Sequence, residues 1–310
     1  MENTAQYRLR IEEIVAAIKS FQPDLERRSK PFRHDPASGE EPVFNKWSAD
    51  DWRKNVFGNA LVRLRQLSEN NFRFIEAMGV LAVARYIFEL SVWLHLLQKD
   101  SRYGLVYYRE LIETQQKHWE DTAEQLRREV VLLKRFETMD NTANQEDIRA
   151  YKEGKVSDVR EMMKSTMERV DAEASRNFSL YLDDAKKNGY GFQAYLVEQK
   201  AIPRVEQAIT DIAREKQDFQ SRVPQDVQNL AKGAWRWRQM ADVAGLAHEH
   251  DYIYASASKL LHATPSSLTT DKKNLELSEI YIFLRYIHVK ILEIMELARQ
   301  QPECKLKAMA

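Results

Sequence analysis

Apolar positions recur along this chain at intervals of three and four residues, and no run shows the period of two that a half-buried strand requires. The pattern predicts a first helix over about 5–21, stopped at Pro23. Residues 23–47 carry Pro23, Pro31, Pro36 and Pro42 and read as an irregular arm. Ser48 is placed to cap a helix that runs to about Ser68, and a long apolar helix covers about 70–99. From 104 the texture changes to dense charge with a heptad-like stripe. Ile112, Trp119, Leu126 and Leu133 fall every seven residues, with Ala123 and Val130 between them. Asn141 to Asn144 interrupt the pattern, and a second helical run is expected over about 145–187. Asn188 to Gly191 read as a turn, and Pro203 opens a helix to about Arg222. The last part predicts helices near 235–246, 250–263 and 275–299. The last of these gathers Ile280, Phe283, Leu284, Ile287, Ile291, Ile294 and Met295 on one face.

These elements imply an all-α fold. The expected organisation is an N-terminal helix and arm over 1–47, a core of helices over 48–103 and 223–300, and a tail over 301–310. Residues 104–222 form an inserted helical, coiled-coil-like arm. With only 9 Gly and 8 Pro in 310 residues, tight-turn-rich sandwiches, barrels and Rossmann-type folds are excluded. The 47 basic and 47 acidic residues cancel, which argues against a polybasic membrane or nucleic-acid sponge but leaves room for a local basic groove. A lone cysteine, Cys304, excludes a disulfide framework and fits a reducing cytosol. The most apolar stretch, 77–97, holds Arg85, Glu89 and His95. An Arg at a bilayer centre costs roughly 2.5–3.5 kcal/mol on insertion scales, so a buried helix is expected and not a membrane span. No secretory signal is visible at the N-terminus, and a cytoplasmic protein is expected.

Four clusters carry candidate chemistry. Arg85 and Glu89 are four residues apart on an apolar helix, so they share a face and must be paired or open to a cleft. Tyr254, Ser258 and His262 repeat every four residues at the edge of an apolar stripe, with Lys259 close by. Trp235, Trp237 and Arg238 are types that can stack on bases, but more often they anchor a core with the Arg exposed. His248-Glu249-His250-Asp251 has the composition of a metal site, but adjacent helical residues diverge by about 100° and cannot all face one ion. No metal or other cofactor is expected. The chain lacks a Walker A loop, a dinucleotide fingerprint, a nucleophile elbow and kinase signatures.

The run from Trp235 to Leu268 resembles a bacterial all-helical family of uncharacterised domains. The matching residues are Trp235, Arg238, Met240, Ala241, Gly245 and Leu246, then Tyr254, Ser258, His262 and Pro265. An upstream Ala-Arg-x-x-x-Glu helix is matched by Ala84, Arg85 and Glu89. That family looks like a distant relative of the HEPN group, whose helical bundles include metal-independent ribonucleases of toxins and phage defence. The usual HEPN spacing of Arg, four to six residues, then His is absent here, where Ala255, Ser256 and Ala257 precede His262. The resemblance implies an HEPN-like bundle and action on RNA. His262 would act as general acid or base, Arg85 would hold phosphate, Glu89 would set the Arg85 fork, and Tyr254 or Ser258 would orient groups. Lys259, Trp237 and Arg238 would contact nucleic acid. It also implies a homodimer, and the arm is a candidate surface for a protein partner. The alternative is a non-catalytic interaction module in which the same polar groups satisfy one another.

Overall fold

A computed structural model describes residues 4–32, 44–72, 75–155, 158–230, 235–261 and 275–306. Among the described residues the fold is all-α, with no strand. The chain forms two compact units. One comprises the residues up to Glu110 together with those from Arg222 onward; the other runs from Leu111 to Ser221.

The first unit begins with α1 (Thr4–Ser20) and α2 (Gln22–Ser29), followed by a 3-10 turn, Lys30–Phe32. Here the structure corrects the expected arm. Pro23 does end α1, but it sits in the first turn of α2, where a missing N–H costs nothing. Leu25 of that helix is fully buried. The rest of the expected arm, 33–43, lies outside the described residues. Next comes α3 (Ala49–Asn70), whose Ser48 cap accepts a hydrogen bond from the Asp51 amide at 3.2 Å. The long apolar helix is α4 (Ala77–Lys99) and starts later than its pattern predicts. Asn71 leaves the helix in an extended conformation, and Phe72 takes a left-handed φ of 68°, so the backbone cannot run straight on.

A single helix, α5 (Tyr103–Lys152), then runs for 50 residues. Asn141 to Asn144 do not break it. Phe136 and Ala143 are buried, and this packing keeps the segment helical, while Thr138 and Thr142 turn their hydroxyls back onto carbonyls four residues earlier. The helix ends instead at Gly154, with φ 69°. In the second unit follow α6 (Val159–Ala174), α7 (Leu182–Asn188) and α8 (Tyr190–Leu196). The second helical run expected over 145–187 is therefore divided. Asp158 caps α6 with two amide hydrogen bonds, and residues 175–181 are non-helical. Between α7 and α8 a single residue, Gly189 at φ 91°, makes the turn. A π-helical turn, Val197–Ala201, leads into α9 (Ile202–Arg222), and the Ile202 amide reaches back five residues to Val197. Pro203 explains the widening: its ring would crowd the carbonyl four residues back in a regular α-helix.

The heptad stripe of α5 is covered inside this unit. Ala123, Leu126, Val130 and Leu133 pack with Val170, Ala194, Val197 and Val205. Glu129, 1% exposed, points inward from the same helix. Its carboxylate accepts hydrogen bonds from the Leu180 and Tyr181 amides, at 3.0 and 3.2 Å, and from the Ser179 hydroxyl, so it caps the loop into α7.

The first unit is completed by α10 (Gln225–Gln228), α11 (Trp237–Ala244), α12 (Ala247–Glu249), a second π-turn (His250–Tyr254), α13 (Ala255–Leu261), α14 (Leu277–Arg299) and α15 (Pro302–Leu306). By length and composition α4 could cross a membrane, yet 61% of its apolar window is buried. It packs on α14, α11 and α13. The whole expected apolar face of α14, Ile280 through Met295, is buried against it and α1. Arg53 of α3, 7% exposed, fastens the chain end through paired hydrogen bonds to Glu303 at 2.8 and 3.2 Å.

One ionic chain, centred on a buried lysine, joins α4, α12 and α14. Lys290 is 4% exposed and lies 2.7 Å from Glu249 and 2.6 Å from Glu293. Tyr286 donates its hydroxyl to the other oxygen of Glu249 at 2.9 Å. His95 Nε2 meets the other oxygen of Glu293 at 2.8 Å, and its Nδ1 meets the Ser91 carbonyl at 2.8 Å. A carbonyl and a carboxylate only accept, so both ring nitrogens must donate and His95 is an imidazolium. Two cations then balance two carboxylates, and each carboxylate oxygen has a partner.

Burial alone would lower the pKa of His95, but Glu293 and the Ser91 carbonyl outweigh it and hold it above its ordinary 6.5. The hydrogen bond from His95, and then Lys290, hold Glu293 at about 2 against the upward push of burial. A raised histidine contributes stability that is complete below pH 6.5 and lost as pH rises through its folded value. A lowered carboxylate contributes stability that is complete above pH 4.5 and lost as pH falls toward 2. The melting temperature should therefore be highest between these limits, and His95→Gln should flatten the alkaline limb. Melts across pH 3–9 that show no loss above neutrality in the wild type would contradict this assignment.

Candidate functional site

Arg85 and Glu89 stand on one face of α4, and Tyr254 ends the second π-turn, 169 residues away from Arg85 in sequence. The three converge. Arg85 Nε donates to Glu89 at 3.1 Å and Nη2 donates to the Tyr254 hydroxyl at 3.2 Å. The guanidinium carbon also lies 4.8 Å from the centre of the Tyr254 ring. Arg85 and Glu89 keep about a quarter of their side-chain surface exposed, at 28% and 26%. The pair is therefore at the surface edge of the bundle and not sealed in it.

The π-turn sets this geometry. The Ala255 amide reaches back five residues to His250, and the widened turn stacks the His250 and Tyr254 rings 4.9 Å apart at 20°. Phe88 of α4 packs on both rings. Glu249, immediately before the turn, is tied to Lys290 and Tyr286, so the ionic chain anchors the segment that presents Tyr254.

Beside the pair is a cavity of about 500 Å³. Glu89, Trp93, Tyr107 and Trp237 form its aromatic and acidic side, and Asn59 and Arg63 of α3 face them. Trp93 stacks on Trp235 at 4.0 Å and 12°, while Trp237 meets Trp235 edge-on. Burial raises the pKa of Glu89 even though Arg85 opposes the shift. Its second oxygen has no partner among the described residues, so the cavity has a carboxyl that exchanges protons closer to neutrality than a solvated one.

The remaining candidates divide. Trp237 joins the cluster, 6.4 Å from Tyr254. Arg238 turns outward, 73% exposed, toward Asp251 at 3.4 Å. Lys259 is exposed on α13. Ser258 points its hydroxyl oxygen into the interior, where it has no partner among the described residues. His262 and Pro265 lie outside the described residues. In the His248–Asp251 run, Glu249 serves the ionic chain, His250 stacks on Tyr254, and Asp251 faces Arg238. Among the described residues no cluster of His, Cys, Asp and Glu has the makings of a metal site.

Sequence reasoning missed Lys290, Glu293 and the partnership of His95. Their signal was weak but present: a Lys at 290 falls between Ile287 and Ile291, inside the apolar face of α14. No protein-family model, curated protein or solved structure matches the chain.

The cluster separates two roles by stability. Tyr254→Phe removes one hydrogen bond to a charged group and should cost about 1–2 kcal/mol. Arg85→Ala leaves Glu89 without its cation, so it should cost more at pH 7. The excess should shrink at pH 5, because burial already raises the pKa of Glu89, removal of Arg85 takes away what opposes that shift, and a protonated carboxyl needs no cation. Urea unfolding of both variants at the two pH values measures this, and an excess independent of pH would refute it.

Proposed function

We propose that the protein is an RNA-directed stress or phage-defence protein of HEPN type, acting in the cytosol as a metal-independent endoribonuclease. The observation that carries this reading is the convergence of Arg85, Glu89 and Tyr254 at the edge of an aromatic cavity. Glu89 and Tyr254 occupy Nε and Nη2 of Arg85, which fixes the plane of the guanidinium and leaves Nη1 to hold a phosphate. An unstacked base fits the aromatic cavity, whose Glu89 oxygen accepts from base N–H groups.

In the reaction, a ribose 2′-hydroxyl attacks the adjacent phosphorus, and the bond to the 5′-oxygen breaks. His262 takes the hydroxyl proton or supplies one to the leaving oxygen, and Arg85 neutralises charge that builds on the phosphate. Tyr254 or Ser258 orients the reacting groups, and Lys259, Trp237 and Arg238 contact the strand. A homodimer rests on the family resemblance alone, since the apolar stripe of α5 is covered within the chain.

A second reading is a non-catalytic interaction module. It is favoured by the same two bonds, because Arg85 already has internal partners. An RNA-cleavage assay separates the two. His262→Ala should reduce cleavage by about 100- to 10,000-fold with the fold intact, and chelator should have no effect. Arg85→Ala should also lose activity, with its lower stability checked by melting. Cleavage that persists in folded His262→Ala protein would move the chemistry elsewhere. Failure of the wild type to cleave a broad panel of RNAs would favour the interaction module.

A further inference from the structure

The second unit holds a cavity that the proposed action on RNA does not use. We propose that it binds an elongated amphipathic carboxylic acid. The cavity has a volume of about 720 Å³, within the range of small-molecule sites. Trp119 and Leu126 of α5 form one wall, and Leu196 and Val205 face them. It is open because Ala201 and Ala208 stand on the wall formed by the π-turn and α9, where larger side chains would fill it.

Besides the hydroxyls of Thr122 and Tyr181, three polar side chains break this apolar lining. Lys200 and Arg204 are four residues apart and exposed. Neither has a carboxylate partner among the described residues. Their neighbourhood is otherwise neutralised, since Glu198 pairs with Lys134 at 3.0 Å and Glu206 with Arg127 at 2.9 Å. The third is Gln193, 6% exposed, whose side-chain amide lines the cavity with no hydrogen bond to any described residue. Its amide is not sealed from the cavity space, so a polar group of a ligand, or water, can reach it there.

A mostly apolar cavity lined by two unneutralised cations selects a ligand with an apolar body and one anionic end. At about 1.5 Å of rise per residue, Gln193 and Lys200 are separated by roughly 10 Å along the helix. That length suits a chain of eight to ten carbons. The carboxylate would lie between Lys200 and Arg204, bound by the fork of the arginine and the point charge of the lysine. The π-turn lies between the two ends of the cavity, and such turns are common at binding sites.

Equilibrium dialysis of the full chain tests this with three probes of equal chain length: decanoate, decanol and decyltrimethylammonium. Decanoate should bind at one site. Decanol should bind about tenfold more weakly, the loss expected for one partly desolvated charge contact, and the cation should not bind. Replacing Lys200 and Arg204 together by Ala should weaken decanoate binding by at least about tenfold, with melting unchanged because neither side chain has an internal ion pair. Ala208→Phe should fill the cavity and abolish binding in a protein that still melts cooperatively. Absence of decanoate uptake by the wild type overturns the proposal. So do equal affinities for decanoate and decanol, or a double variant that binds decanoate as the wild type does. RNA cleavage is independent of all these outcomes.

Discussion

Lys290 is buried between two carboxylates, and the geometry of the first unit depends on that contact. An ammonium inside an apolar helix interface is costly unless its charge is matched and its protons are used. Glu249 and Glu293 match it, and they are held in turn by Tyr286 and by His95 in its doubly protonated form. The contact links three helices with different duties. α14 carries the core face, α4 carries Arg85 and Glu89, and α12 leads into the turn that carries Tyr254. A partly exposed cluster can keep a defined geometry because the segment behind it is fixed in the interior.

A similar logic appears in the second unit with a different chemistry. Glu129 is buried on α5 and uses its carboxylate to hold the amides at the start of α7. There the charge is stabilised by backbone N–H groups and a hydroxyl instead of by a buried cation. In both units a polar group on a long helix fixes an irregular segment, and the apolar packing around it supplies most of the driving force.

The two π-turns are the other recurrent device. At Val197–Ala201 the cause is local, because Pro203 cannot continue a regular ladder. At His250–Tyr254 no proline is present, and the widened turn accompanies the stack of His250 and Tyr254 against Phe88. Each turn lies beside a site with polar groups that do not all have partners among the described residues. A widened turn changes which residues share a helix face, so side chains that an α-helical register would separate can line one site.

Features governed by neighbours in sequence were legible without the fold. The all-α class followed from the period of apolar residues, the face of α14 from spacing, the Ser48 cap from residue type, and the Arg85–Glu89 pair from a separation of four. Errors arose where local propensity competes with context. Burial of Phe136 and Ala143 keeps α5 helical through an Asn-containing stretch, and Pro23 starts a helix where it was expected to begin an arm. Tertiary structure alone decided that His95 meets Glu293 and that Glu129 is buried against the loop into α7. These contacts join residues 50 to 198 positions apart. A periodic pattern states which face of a helix turns inward, but the identity of the polar group waiting there depends on how the helices pack, which no interval along the chain encodes.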